Sequence, residues 1–266
     1  MNRAPDPMTR PIKIALCLFV ILGFSATLRA DAAQGVSVVW TLKQEGSVGQ
    51  GAALSPDATK IAYVGTRGEL HVVELASQTD RMLKLGVGTP DITNDPSFSP
   101  DGKRIVFSAS GGNWHSPSDI YSVGLDGTGL LQLTHSKPAP NADELGVQFA
   151  GEFVEYFYKP RYSPDGSQIL VWRHPGTTRT DPNDQAIALS TDGSGRHTLT
   201  EGTPLGWAAS GKAIFAVKGD KPDEVVLKYD LTSGKTQVVK GIENAPMGKL
   251  RADDTFAVDN YGGWDW

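Results

Sequence analysis

Three short stretches concentrate the side chains capable of chemistry. "NWH" supplies Asn113, Trp114 and His115. "EYFYKP" runs from Glu155 to Pro160 and carries Tyr156, Phe157 and Tyr158. "RHPGTTR" carries Arg173, His174 and Arg179. Aromatic side chains placed where water is expected are common hot-spot material in binding surfaces. A small basic cluster on an acidic chain suits a carboxylate-bearing partner or a sugar. Trp114, His115, Tyr156, Tyr158, Arg173 and His174 are therefore the candidate binding residues. Residues 156–158 also have a structural reading: at a period of two, some of them pack between neighbouring sheets.

Reactive-site motifs are missing elsewhere. The 5 histidines (His71, His115, His135, His174 and His197) show neither an H-x-x-x-H nor an HExxH spacing. "DPND" (Asp181 to Asp184) and "DITND" (Asp91 to Asp95) are rich in carboxylates, but neither matches the D-x-[DN]-x-[DN]-G calcium loop. "GWAASG" and "DGSGR" fail the spacing of a G-x-S-x-G nucleophile elbow. There is no P-loop, and no G-x-G-x-x-G follows a strand. The expectation is no catalytic residue, no metal and no cofactor.

What must position the candidates is a turn-rich β protein. The chain holds 30 Gly and 17 Pro with 39% hydrophobic residues, and helical periodicity is scarce. Its 266 residues suffice for one large domain. The formal net charge of −5 argues against nucleic acid or anionic lipid as partners, since both need basic patches. Residues 1–33 read as a secretory signal peptide: a basic start, an apolar run from Ile14 to Leu28, then Ala30 and Ala32 at cleavage-site spacing. That run is short for a membrane span. It holds the single Cys17, which is preceded by Leu16 and so lacks a lipidation context. The expected location is periplasmic or otherwise extracytoplasmic, with no stable membrane insertion after cleavage.

A repeat organises the rest. "LSPDATKIAYV", "FSPDGKRIVFS" and "YSPDGSQILVW" align on Ser55, Ser99 and Ser163, and decayed copies place Ala208 and Arg251 at the same position. The steps are 44, 64, 45 and 43 residues. The long step is one period plus an insertion. Downstream of the anchors come "LASQTD", "GLDGTG", "STDGSG" and "LTSGKT", each between two short alternating runs. One unit is thus four strands, here called a to d, with an SPDG turn joining a to b and a DG-type turn joining c to d. Pro presets φ for a type I turn, Asp accepts nearby backbone N–H groups and Gly takes the left-handed position. Asp57, Asp101 and Asp165 therefore read as turn formers.

Four antiparallel strands per period of 43 to 45 residues point to β-propeller blades. "FSPDGKRIVFSAS…DIYSVGLDGTGLLQLT" resembles the repeat of the TolB-like periplasmic propellers, whose relatives include the propeller domains of prolyl oligopeptidase-type peptidases. The resemblance spans residues 36–266 and is strongest in the second and third units. It implies an all-β propeller of four-stranded antiparallel blades. Ser37 to Leu42 reads as a spare strand d closing a ring of five blades; the other reading is a truncated six-bladed chain. The resemblance implies a protein-binding or scaffold role in the cell envelope, although the extra N-terminal domain of TolB has no counterpart here. Relatives that cleave acidic sugars carry metal-binding His at the channel, where His135 and His174 would be the positions to consider. An alternative function is therefore a carbohydrate-active lyase or glycosidase with its site at the channel mouth. The expected partner is an envelope or extracellular protein, or a glycan.

In such blades the a–b and c–d turns share one face of the disc, and the b–c and d–a connections share the other. The long segments 110–119, 136–160 and 173–184 all fall on the second face. Binding residues gather on elaborated loops held by a rigid scaffold.

Overall fold

The computed structural model describes residues 51–86, 92–110, 118–136, 155–175, 184–219, 224–239, 248–250 and 256–258. The expected signal peptide (1–33), the closing strand from Ser37 to Leu42, Trp114 and His115 lie outside the described residues. The described chain is all strand and turn, with no helix. The first sheet holds β1 (Ala52–Leu54), β2 (Lys60–Val64), β3 (Leu70–Glu74) and β4 (Thr79–Met82). The second holds β5 (Ile92–Phe98), β6 (Arg104–Ser110), β7 (Ser118–Gly124) and β8 (Leu131–Gln132). The third holds β9 (Glu155–Tyr162), β10 (Gln168–Pro175), β11 (Gln185–Ser190) and β12 (His197–Glu201). The fourth holds β13 (Thr203–Trp207), β14 (Ala213–Lys218), β15 (Val225–Asp230) and β16 (Lys235–Val238). β17 (Gly248–Leu250) and β18 (Phe256–Val258) form a two-stranded antiparallel sheet. All pairings are antiparallel, in simple sequence order. Each unit of the repeat is therefore one up-and-down sheet, as its turn signals predict.

First strands of successive sheets meet, β1 against β5 and β5 against β9. β4, β8 and β16 are exposed along their whole length, whereas β2, β3, β6 and β7 are largely buried. Strand a is innermost and strand d outermost. The alternation along β6 shows how the sheets are joined. Ile105, Phe107 and Ala109 pack with Ala62, Leu70 and Val72 of the first sheet. The residue between, Val106, packs with Phe157, Ile169 and Ile187 of the third. Leu170 on β10 continues the series toward Ile214 on β14. Both faces of each central strand are apolar because both are covered. Burying a side chain such as Phe107 or Ile169 contributes about 1.5–3 kcal/mol.

The SPDG turns carry a clamp. Ser99 Oγ donates to Asp101 Oδ1 at 2.6 Å and accepts from the Arg104 N–H at 3.0 Å. Asp101 Oδ1 also accepts from the Lys103 N–H at 3.1 Å. The same bonds link Ser55 to Asp57 and Ser163 to Asp165, each at 2.6 Å. All three serines are buried. The serine is more than a strand terminator, since it satisfies the first N–H of strand b. Hydrogen bonds from Ser55 and Thr59 hold the exposed Asp57 carboxyl down at about 2, and those from Ser163 and Ser167 do the same for Asp165. In the fourth unit the buried Ala208 replaces the serine; the backbone bonds from Gly211 N–H to Ala208 O and from Ala208 N–H to Ala213 O remain, and Ser210 Oγ, at the aspartate position, accepts from the Lys212 N–H at 3.3 Å.

The face opposite these turns is uneven. In the first sheet strands b and c join through a tight turn closed by the Gly65 N–H on Glu69 O. Between the third and fourth sheets, strand d passes to strand a through Gly202 alone. A Cβ there would strike the carbonyl oxygen of Val217, and φ is +100°. The longest connection between described strands, residues 133–154, joins the second and third sheets.

Two outcomes test this architecture. Ala58 sits at φ 56°, where the second, third and fourth units place Gly102, Gly166 and Gly211. A left-handed Ala costs roughly 1–2 kcal/mol, partly offset by the greater freedom of an unfolded Gly. Ala58→Gly should stabilise the fold by about 0.5–1 kcal/mol in urea unfolding. The turn carboxylates have depressed folded pKa values, so their stabilisation is full above the unfolded value near 4 and is lost as pH falls toward about 2. Asp57→Asn and Asp165→Asn together should flatten the loss of stability over that window, read as melting temperature against pH.

Candidate functional site

The roots of the long connections meet at one end of the sheets. Asp119 Oδ1 accepts from Thr134 Oγ1 at 2.7 Å, from the Ser136 N–H at 2.8 Å and from Ser136 Oγ at 3.0 Å. Burial raises the Asp119 pKa, and these bonds oppose it. Ser118 Oγ donates to Phe157 O at 2.8 Å. One buried carboxylate therefore ties the start of β7 to the end of β8, and Ser118 ties both to β9. His174 Nδ1 donates to Asp184 Oδ1 at 2.6 Å, and Thr203 Oγ1 donates to Asp184 Oδ2 at 3.0 Å. Asp184 thus binds β10 to β13 at the same end.

Beside these roots, four rings share one face of the third sheet. Register pairs Tyr158 with Trp172 and Tyr156 with His174. Tyr156 and Tyr158 stack with centroids 6.2 Å apart and planes 6° from parallel. Tyr158 lies 5.4 Å from Trp172, and Tyr156 lies 6.3 Å from His174. Burial pushes the Tyr158 hydroxyl up to about 12, so it stays a neutral phenol. Phe157, between the tyrosines, faces the opposite side and is fully buried against the second sheet. The period of two divides the triplet as its sequence implies.

Arg173 and His174 do not form one cluster. They lie within strand β10, not in a loop, and consecutive strand residues project to opposite faces. Arg173 Nε donates to Glu155 Oε2 at 2.7 Å and Nη1 to Gln185 Oε1 at 2.9 Å. Arg196 Nη2 reaches Glu155 Oε2 at 2.7 Å. Burial pushes the Glu155 carboxyl up, but hydrogen bonds from Arg196 and Arg173 outweigh it and leave it lowered. Of the six sequence candidates, the structure brings Tyr156, Tyr158 and His174 together. It ties Arg173 into an internal ion pair behind them.

Three inner-strand residues, Asp95, Lys159 and Arg161, escaped the sequence reading. The inner strands β5, β9 and β13 each have a bulge at an equivalent height. The register slips between Asn94 and Ser97 in β5, between Leu170 and Trp172 opposite β9, and between Pro204 and Gly206 in β13. Asp95 and Lys159 sit at these bulges with φ 50° each. Both are four residues before an anchor serine and directly before a proline. Gly51 is their counterpart in the first unit, and a Cβ there would sit 3.2 Å from Asp95 Cα. The Lys159 ammonium lies 5.1 Å above the Trp172 ring. Arg161 Nη1 donates to Pro160 O at 2.8 Å and to Asp95 O at 3.3 Å. Desolvation lowers the Arg161 pKa against the pull of Asp95. Desolvation raises that of Asp95, opposed by Arg161, Lys159 and the Lys159 N–H. Aligning the residues upstream of each SPDG would have exposed this ring of positions.

No family model matches the sequence. Among solved structures, an oligogalacturonate lyase in complex with manganese superposes with a TM-score of 0.59 at 15% identity, covering 79% of this chain and 58% of that one. The lyase from Vibrio parahaemolyticus gives 0.58 at 15%, with the same coverage. This chain is a β-propeller. It spans 58% of the length of those lyases. The tricorn protease matches at 0.53 and 11%, over 80% of this propeller and 24% of the protease. TolB from Acinetobacter baumannii matches at 0.37 and 18%, over 74% of this chain and 56% of that one. The propeller fold expected from the repeat is met by the superposition on the two lyases. Among the described residues, no helix is long and apolar enough to cross a membrane.

Glu155→Ala should cost about 2–3 kcal/mol in equilibrium unfolding, below the full 3–5 kcal/mol of a broken buried pair because Arg196 is partly exposed. Arg173→Ala should cost less, since Arg196 still neutralises the carboxylate.

Proposed function

We propose that this propeller is exported, acts outside the cytoplasm and binds a protein of the cell envelope through the end that carries the elaborated connections. The observation that supports this reading is the convergence at that end of the aromatic quartet, Tyr156, Tyr158, Trp172 and His174, with the loop roots held by Asp119 and Asp184. A rigid frame with preplaced aromatic faces costs little conformational entropy on binding. Trp114 and His115 belong to the connection between β6 and β7, whose root stands beside β9 through the Ser118 bond.

The carbohydrate-active reading asks for acid or histidine groups at the channel mouth. Among the described residues, the inner strands carry two carboxylates, Asp95 and Glu155; Glu155 is neutralised by Arg173 and Arg196, and at the same end His174 and Asp184 are committed to each other through the Nδ1 hydrogen bond. The binding reading therefore has the better support.

A photo-reactive residue placed at position 156 should cross-link one envelope protein, and the same residue placed at Ser167, in an SPDG turn, should not. Trp114→Ala and Tyr156→Ala should each weaken that complex at least tenfold, about 1.4 kcal/mol. Equal cross-linking from both ends, or none, would sink the proposal. Release of unsaturated products from an acidic oligosaccharide, read by ultraviolet absorbance, would establish the enzymatic alternative instead.

A further inference from the structure

The seam between β9 and β13 holds a small cavity of about 40 Å³, lined by Lys159, Arg161, Leu170, Pro204, Leu205 and Gly206. Its composition is unusual for a crevice in an acidic protein. Two cations project into it, and among the described residues neither has a carboxylate at ion-pair distance. Arg161 spends only Nη1, on two backbone carbonyls, and Lys159 rests on the Trp172 ring. Asp95 acts on both cations from a greater distance. Arg161 is exposed beside the crevice, and its Nε and Nη2 hydrogens, uncommitted among the described residues, can receive an incoming anion in a two-pronged grip. Lys159 reaches its position only through a left-handed bulge. Such outliers persist where the surroundings enforce them, and they cluster at ligand clamps.

The small volume of the crevice suits a small anionic group. At about 10–15 Å³ per water, it has room for about three. Three heavy atoms make a carboxylate; a phosphate has five, and a pyranose ring has more. Leu170, Pro204 and Leu205 complete the lining, and the methylenes behind a carboxylate can lie beside them. The residues of β9 run from the aromatic quartet at Tyr156 and Tyr158 to Arg161 at the cavity, so one extended ligand can touch both.

The geometry points to a carboxylate-binding pocket in the wall between the third and fourth sheets, filled by an acidic side chain or free C-terminus of a bound peptide. This rests on the protein-binding reading above and adds the chemistry of the group that is recognised. The peptide inserts its carboxylate between Lys159 and Arg161, and its stem lies along Leu205.

The test is a titration of the isotope-labelled protein, followed by the indole N–H signals of Trp172 and Trp207. The first lies under Lys159, and the second donates to Arg161 O at 3.0 Å. Acetyl-Gly-Glu-amide and acetyl-Gly-Gly with a free terminus are the probes. Acetyl-Gly-Gln-amide, galacturonate and chloride at matched ionic strength are the controls. At least one of the two probes should shift both indoles saturably, with the glutamine peptide and chloride inert. Lys159→Gln combined with Arg161→Gln should weaken binding at least tenfold. Leu205→Trp, which fills the cavity and leaves the charges in place, should do the same with an otherwise unchanged amide spectrum. Equal shifts from the glutamine peptide or chloride, or unaltered binding by Leu205→Trp, would overturn the pocket. Tighter binding of galacturonate than of either peptide would overturn its assignment to a protein ligand. Lost cross-linking at position 156 with an intact titration would remove the envelope-protein reading and leave the pocket standing.

Discussion

A four-stranded sheet with apolar side chains on both faces cannot exist alone in water. That single constraint governs this molecule. Val106 and Phe107 are neighbours in sequence, yet each is buried in a different layer. Neither layer closes until the adjacent sheet is in place. The cost of ordering each sheet is offset mainly by what it shares with its neighbours, as in other repeat architectures. Polar clamps finish the job locally. The Ser–Asp pairs satisfy the N–H groups where strand b begins, and so let the hairpin end without an orphaned donor.

The same constraint makes the inner strands the natural place for a site. They are the one set of strands that cannot bury everything, because they converge on a common axis. Bulges at Asp95, Lys159 and the Pro204–Gly206 slip turn side chains out of the alternating pattern. A regular strand would have placed Lys159 among the apolar residues between sheets. The bulge instead sets it over Trp172, on the side of the quartet. Charge and aromatic surface thus stand together through a defect in register, not through proximity in sequence.

What the sequence made legible follows from this physics. Turn chemistry is local, so SPDG and the DG-type turns marked the hairpins, and four strands per period followed. The division of Tyr156, Phe157 and Tyr158 between two faces was also legible, because strand parity is a local rule. Arg173 and His174 were misjudged as a loop cluster. Polar residues at a strand end look like loop in one dimension, and only the pairing with Gln185 and Glu155 extends β10 that far. The Asp95, Lys159 and Arg161 group was illegible for a related reason. A register slip depends on the partner strand, and nothing in "NDPSF" or "YKPRY" alone says on which residue it falls. Their proline was the available clue.

Gly202 joins the third and fourth sheets with the shortest tether in the described chain. The second and third sheets are separated by more than twenty residues of connection, from Leu133 to Val154. The two seams of the third sheet are therefore secured by different means: the fourth sheet follows it through a one-residue link, whereas the second sheet, distant along the chain, is joined to it by the shared apolar layer of Val106, Phe157 and Ile169 and by the Ser118 bond to Phe157.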